Sequence, residues 1–295
     1  MKKNIILVTG GAGFVGSNLI EELSKIKGYE IYSLDNYSSG SKKNHIKKIN
    51  IKYIKGDTIN IEKYFRKKKN YINAIFHFGE FSRIYQSFNY FEDCINSNLI
   101  GTKSVIKFCL KNNIKLIYSA TSASLGNSGE DKNLSPYAFT KAKNLEFLNN
   151  LKNWFKFRFE IIYFYNVYGR NQIQVGNMAT VIGIFERQYL DKQPLTVVRP
   201  GTQTRKFTHI SDTIKICIKA WKANKCKHYS IAAKKSFSIL NIAKMFGRPI
   251  KFLPRRLGER YASVLVKMNL TNKVINYTSS QNIKKYISEF KKINS

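Results

Sequence analysis

The chain has 295 residues, 43% apolar and 14% aromatic, enough for a substantial core in one large α/β domain or a large domain with a smaller companion. Its 51 lysines and arginines against 18 acidic residues leave a formal charge of +33. The basic residues run along the whole chain instead of forming one block, which argues for a compositional bias toward Lys, Asn and Ile and against a nucleic-acid-binding protein. No apolar run approaches the ~20 residues of a membrane span. Cys94, Cys109, Cys217 and Cys226 show neither close pairing nor metal spacing, so reduced thiols, a cytoplasmic location and no metal site are expected.

In chain order, the pattern predicts a strand at 4–10 (NIILVTG), a helix over 14–26, strands at 29–35 and 51–57, and a helix over 60–68. A strand at 73–79, a helix over 92–111, a strand at 114–120, a helix over 135–152 and a strand at 159–166 follow. Ser135 and Pro136 supply an N-cap and a proline at the first position of the last helix. Strand–helix alternation with apolar strands predicts an α/β fold, a doubly wound parallel sheet of Rossmann type. After residue 167 the pattern loosens, with loops at 169–178 and 199–207 and short helices at 235–247 and 280–293. The expected division is a dinucleotide-binding domain over 1–166 and a mainly substrate-binding region over 167–295, with some segments returning to the first domain.

Gly10, Gly13 and Gly16 run from the end of the first strand into the first turn of the helix that Phe14 and Val15 open. Glycines at this spacing permit a tight turn and let backbone N–H groups approach a pyrophosphate at a helix N-terminus. Asp35 ends the next strand, where a carboxylate suits the free ribose hydroxyls of NAD and repels the extra phosphate of NADP. Lys42 and Lys43 lie nearby, so NADP stays open as the less favoured cofactor. Tyr137 and Lys141, four residues apart, fall on one face of the 135–152 helix. With 18 tyrosines and 40 lysines in the chain, chance supplies about two such spacings. Tyr64/Lys68 is the other, so context must distinguish them.

The segments TGGAGFVGSNL, LDNYSSG, KGD, HFGE, NLIGT, SPYAFTK, YNVYG, RKFTHISD and RRLGER occur in this order along nearly the whole chain. The ordered set resembles the extended short-chain dehydrogenase/reductases, in particular the NAD-dependent nucleotide-sugar epimerases and dehydratases. The resemblance implies Tyr137 as acid/base, Lys141 as its partner and a contact for the nicotinamide ribose, and Thr121 as the hydroxyl partner. Thr121 is aligned through Gly126, with Ser122 the fallback if the register slips by one. It implies a cofactor site of Gly10, Gly13, Phe14, Val15, Gly16, Asp35, Asn36, Asp57, Thr58, His77, Phe78, Gly79 and Asn98 together with Tyr137 and Lys141. It implies a nucleotide-diphosphate sugar contacted by Ser122 and Asn166, with Arg205 and Arg256 gripping the diphosphate.

Departures from the family pattern bear on the reaction. Dehydratases of the family carry an Asp-Glu pair directly after the threonine, and here Ser122 and Ala123 stand there, so epimerase is the leading expectation. Glu80 stands where the family commonly has a small residue. It could be an additional acid/base, a partner for Arg83 or a hydroxyl-binding group in the substrate cleft, and it keeps dehydratase as the alternative. A nucleotide-sugar reductase and a dinucleotide-sensing binding protein follow. Leu125, Tyr163 and Lys206 replace a common tyrosine, arginine and aspartate, which leaves the sugar and nucleotide open. A homodimer through 92–111 and 135–152 is also implied, with no nucleic-acid or membrane partner.

Overall fold

The computed structural model describes residues 4–122, 132–258 and 274–294, so Leu125 and Gly126, which set the register at Thr121, lie outside the described residues. In chain order the principal elements are β1 (Asn4–Thr9), α1 (Phe14–Leu23), β2 (Tyr29–Asp35), β3 (Ile51–Lys55), β4 (Ile72–His77), α2 (Thr102–Lys111), β5 (Lys115–Thr121) and α3 (Pro136–Phe155). They continue with β6 (Phe159–Phe164), α4 (Val181–Leu190), α5 (Ile210–Ala223), β7 (His228–Ala232), α6 (Ile239–Phe246), β8 (Val274–Thr278) and α7 (Ile283–Ile293). The strands form one eight-stranded sheet in the order β8-β7-β6-β5-β4-β1-β2-β3. Every neighbouring pair in it is parallel.

The period-2 alternation of the strands sends their apolar residues to two separate cores. On one face Leu7, Ile75, Leu116 and Ile161 meet Val105, Ile106 and Phe108 of α2 and Leu145, Leu148 and Leu151 of α3. On the other, Ile6, Val8, Ala74 and Ile117 meet Leu19, Ile20 and Leu23 of α1 and Ile214, Cys217 and Ala220 of α5. The expected doubly wound α/β sheet is therefore present. A third cluster, with Phe185, Leu195, Phe246 and Ile287, holds α4, α6 and α7 together.

The order of strands reverses beside β1, which pairs with β2 on one side and β4 on the other. The crevice at such a reversal, outside the carboxyl ends of the strands, is where open α/β sheets bind ligands. The six expected strands form, and α3 starts at Pro136 because Ser135 Oγ accepts the Ala138 N–H at 3.1 Å.

Five elements differ from expectation. The 92–111 helix is divided into Phe91–Ile95, a π turn at Asn96–Gly101, and α2. A β-carbon on Gly101 would lie 2.4 Å from Thr58 Oγ1, so the backbone at the π turn approaches the loop after β3 more closely than any side chain allows. β7 and β8 escaped a pattern reading because they lie beyond residue 167, where strands and helices no longer alternate regularly in the sequence. α4 and α5 escaped it too, in the stretch read as loosely patterned, although α5 is amphipathic and its His209 side chain accepts the Ser211 N–H.

A buried ion pair pins α5 to the sheet. Lys115 Nζ lies 3.1 Å from Glu160 Oε1, with side chains 6% and 0% exposed. Lys115 also donates to the carbonyls of Ala220 (3.3 Å) and Trp221 (2.7 Å), orphan acceptors in the last turn of α5. Glu160 accepts the N–H groups of Lys225, Cys226 and Lys227 at 2.7–3.1 Å. Glu160→Ala leaves a buried ammonium without its counter-charge and three amides unpaired, and we expect a loss of about 3–5 kcal/mol, read as a lowered urea midpoint.

Candidate active site

The carboxyl ends of β1, β4, β5 and β6 open into one cleft of about 460 Å³. Its lining runs from the glycine turn after β1, past Asp35 and Asp57, to Thr121, Tyr137, Lys141, Asn166, Arg205 and Arg256. Tertiary structure thus brings together residues more than 200 positions apart. Tyr64/Lys68, the competing pair, does not line the cleft.

The turn after β1 is built by its glycines for two different reasons. Gly10 has φ +69°, and a β-carbon there would lie 2.8 Å from Gly79 N and Phe78 O. A β-carbon on Gly16 would lie 2.1 Å from Gly10 O, so both glycines are demanded by the fold itself. Gly13 is different: its β-carbon would meet only Gly10 O, at 3.2 Å, and otherwise open space. Gly13 is also the N-cap of α1 and makes no side-chain cap. Gly13, Phe14, Val15 and Gly16 all line the cleft where α1 begins, and the first amides of a helix have no partner within it. This geometry fits the pyrophosphate of a dinucleotide.

Asp35 is 6% exposed at the end of β2. Its Oδ2 accepts the Ala12 N–H and its Oδ1 the Tyr37 N–H, each at 2.8 Å. Burial pushes its carboxyl upward, and the two amides oppose that shift. Asp35 therefore braces the glycine turn while forming part of the cleft wall. Asp57 caps the turn at Thr58–Asn60 through the Ile59 N–H (2.9 Å) and accepts from Asn36 Nδ2 (3.0 Å). Phe78 and Gly79 both donate their N–H groups to Thr9 Oγ1 at 3.1 Å, which fixes the ends of β1 and β4 together.

Asn98 does not line the cleft. It is fully buried; its Oδ1 accepts the Phe81 N–H at 2.7 Å, and its Nδ2 donates to Phe81 O and Thr140 Oγ1 at 3.1 Å. Its contacts tie the loop after β4 to α3 behind the wall. Thr58 does line the cleft, with its hydroxyl packed against Gly101.

Ser122 is 2% exposed and Tyr137 is 9% exposed, and both line the cleft. Arg256 lies over the Tyr85 ring at 5.2 Å, and Arg205 donates to the carbonyl of Thr204 at 2.9 Å. Asn166, at φ 36°, donates to Lys206 O at 3.2 Å. Lys206 itself turns away to the carbonyls of Ala233 and Lys234.

Glu80 has a partner other than the one anticipated. Its carboxylate pairs with Lys141, and Arg83 instead reaches across the cleft to Met178 O at 2.5 and 3.0 Å. Tyr118, Thr102 and Asn144 also contact Glu80, and a reading of single motifs missed them. Asn144 alone carried a signal, three residues beyond Lys141 on the same helix face.

Residues 6–232 match the family model described as the NAD dependent epimerase/dehydratase family. The chain is 30% identical over 228 residues to an ADP-L-glycero-D-manno-heptose-6-epimerase of Brachyspira hyodysenteriae, covering 72% of this chain and 70% of that protein. It is 30% identical over 232 residues to a UDP-N-acetyl-alpha-D-glucosaminuronate decarboxylase of Bacillus cytotoxicus, covering 75% and 71%. The solved UDP-glucose 4-epimerase of Thermotoga maritima, in complex with UDP-glucose, superposes with a TM-score of 0.83 at 20% identity over 99% of this chain and 100% of that one.

The difference between the glycines can be measured. Gly13→Ala is expected to leave the melting temperature within a few degrees and to weaken NAD binding at least roughly tenfold, about 1.4 kcal/mol. Gly16→Ala is expected to lower stability itself, because its new methyl meets backbone. Calorimetry and NAD titration of both variants check this.

Proposed function

We propose that this chain, which belongs to the NAD-dependent epimerase/dehydratase family, is a nucleotide-sugar epimerase that works through a transient keto sugar, a 4-keto sugar in the reading we favour. One observation carries the reading: Tyr137 and Lys141 share a turn of α3 and open, with Thr121, into the same cleft as the Gly10–Gly16 turn. Bound NAD supplies a reversible two-electron acceptor for a sugar carbon. The protein's part is to move a proton and hold the ring. Tyr137 takes the proton of the sugar hydroxyl as its carbon is oxidised and returns it after the keto sugar has turned over. Thr121 donates a hydrogen bond to the oxygen as it becomes a carbonyl. Arg205 and Arg256 suit the diphosphate because guanidinium groups bind phosphate oxygens in pairs. That anchor leaves the sugar free to rotate between two faces.

Two observations weigh against dehydration. Ser122 and Ala123 offer no carboxylate beside Thr121. Glu80, the candidate for an extra acid or base, has a side chain 2% exposed and is committed to Lys141. An acid that eliminates water must be free to reach the substrate, and this one, although it lines the cleft, is held by Lys141, Tyr118 and Thr102.

The assembly we propose is a homodimer built on α3 and the helical segment before α2. Phe91, Ile100, Phe139 and Phe147 are 50%, 43%, 41% and 37% exposed there, an apolar surface that a second copy would cover. No helix among the described residues is long and apolar enough to cross a membrane. With free cysteines throughout, a cytoplasmic location is the one we favour.

Incubation of the protein and NAD with a panel of UDP-, GDP-, ADP-, CDP- and dTDP-sugars in deuterated water tests the reaction. The expected product is a 4-epimer without solvent deuterium; loss of water or of carbon dioxide from every accepted substrate would refute it. Tyr137→Phe is expected to lower kcat about 10²–10⁴-fold with little change in NAD affinity. Light scattering is expected to give twice the chain mass, and Phe91→Lys with Phe147→Lys is expected to halve it.

A further inference from the structure

Glu80 and Lys141 face each other in the wall of the cleft with side chains 2% and 4% exposed. Lys141 pairs with Glu80 Oε2 and also donates to the Ser119 carbonyl at 2.6 Å. On the other side of the carboxylate, Oε1 accepts from the Tyr118 hydroxyl at 3.0 Å and from Thr102 Oγ1 at 3.1 Å. The Lys141 ammonium lies 4.8 Å from the centre of the Tyr118 ring.

The direction of these hydrogen bonds is set from the far end. Thr9 Oγ1 already accepts the Phe78 and Gly79 N–H groups, so its own proton goes to His77 Nδ1 at 2.7 Å. Burial pushes the His77 imidazole down to about 4, which leaves the ring neutral with its single proton on Nε2. That proton goes to Thr102 Oγ1 at 2.9 Å, and the Thr102 proton goes on to Glu80. The tautomer is assigned from this network. The chain therefore runs one way, from the glycine turn to a carboxylate, and the carboxylate answers a lysine.

We propose that Glu80 is a positioning residue that fixes the Lys141 ammonium against β5 and cancels its charge at the nicotinamide end of the cleft, so setting the balance between oxidised and reduced cofactor. The proposal rests on the NAD-dependent reading above. The oxidised nicotinamide ring carries a positive charge and the reduced ring none. An ammonium stripped of its counter-charge disfavours the first and leaves the second nearly untouched. Arg83, another cation that lines the cleft, has its N–H groups on the carbonyls of Met178 and Ser82 and contributes the same charge in every variant considered.

The test titrates NAD+ and NADH against wild type, Glu80→Gln, and the double variant Glu80→Gln with Lys141→Met. For Glu80→Gln the ratio of the NAD+ to the NADH dissociation constant is expected to rise about tenfold, equivalent to about 30 mV in the potential of the bound couple. The double variant, again without net charge, is expected to keep the ratio within about twofold of wild type. Equal weakening of both forms in Glu80→Gln would make Glu80 a brace only and overturn the proposal. Should Glu80→Gln fail to fold, a double variant whose ratio departs tenfold from wild type would overturn it as well. A wild-type protein that binds neither form would instead refute the NAD-dependent reading, and this proposal with it.

Discussion

The hydroxyl of Thr9 holds the site together. It stands at the last residue of β1, where the sheet reverses, and accepts two amides from the chain leaving β4. Those bonds bring Gly79 so close to Gly10 that neither the turn nor the crevice leaves space for a β-carbon at Gly10. The same hydroxyl, having accepted twice, must donate to His77 and so orients the network that ends at Glu80. One side chain thus shapes the glycine turn and the network that reaches Lys141 through Glu80.

A chain of charge +33 has few carboxylates to place, and several of them are inside. Asp35 braces the glycine turn, Glu160 pairs with Lys115, and Glu80 pairs with Lys141. Asp212 accepts from Ser279 and Ser280 and so fastens the chain after β8 onto α5. Each is satisfied by amides, hydroxyls or a lysine, as burial of a charge requires. The excess of lysine consequently faces solvent, and the strong positive balance describes the surface more than the site.

How much was legible depended on whether a signal was local. β1 through β6 were readable because runs rich in β-branched and aromatic residues alternate there with amphipathic stretches, and the first four end in glycine or aspartate. β7 and β8 were not, because β8 (VINYT) is a strand chiefly through its pairing with β7. The 92–111 stretch is helical in pattern throughout, and only its approach to Thr58 shows why a π turn interrupts it. Asn98 was readable as a motif position, but its place behind the wall depends on Phe81 and Thr140, which the pattern does not connect to it.

The linear order of residues was enough to determine a Rossmann-type sheet, a glycine turn at Gly10–Gly16 and a Tyr137/Lys141 pair one helical turn apart. All of these follow from spacings within some twenty residues, where backbone geometry translates sequence directly into shape. Glu80 shows the other case. By its position it was equally suited to Arg83, to a substrate hydroxyl or to proton transfer. Its partner was decided by the packing of α2 and α3 against the sheet, which sets Lys141, Tyr118 and Thr102 around one nearly fully buried carboxylate. A buried charge takes the partner that the fold delivers, and that partner comes from 61 residues away.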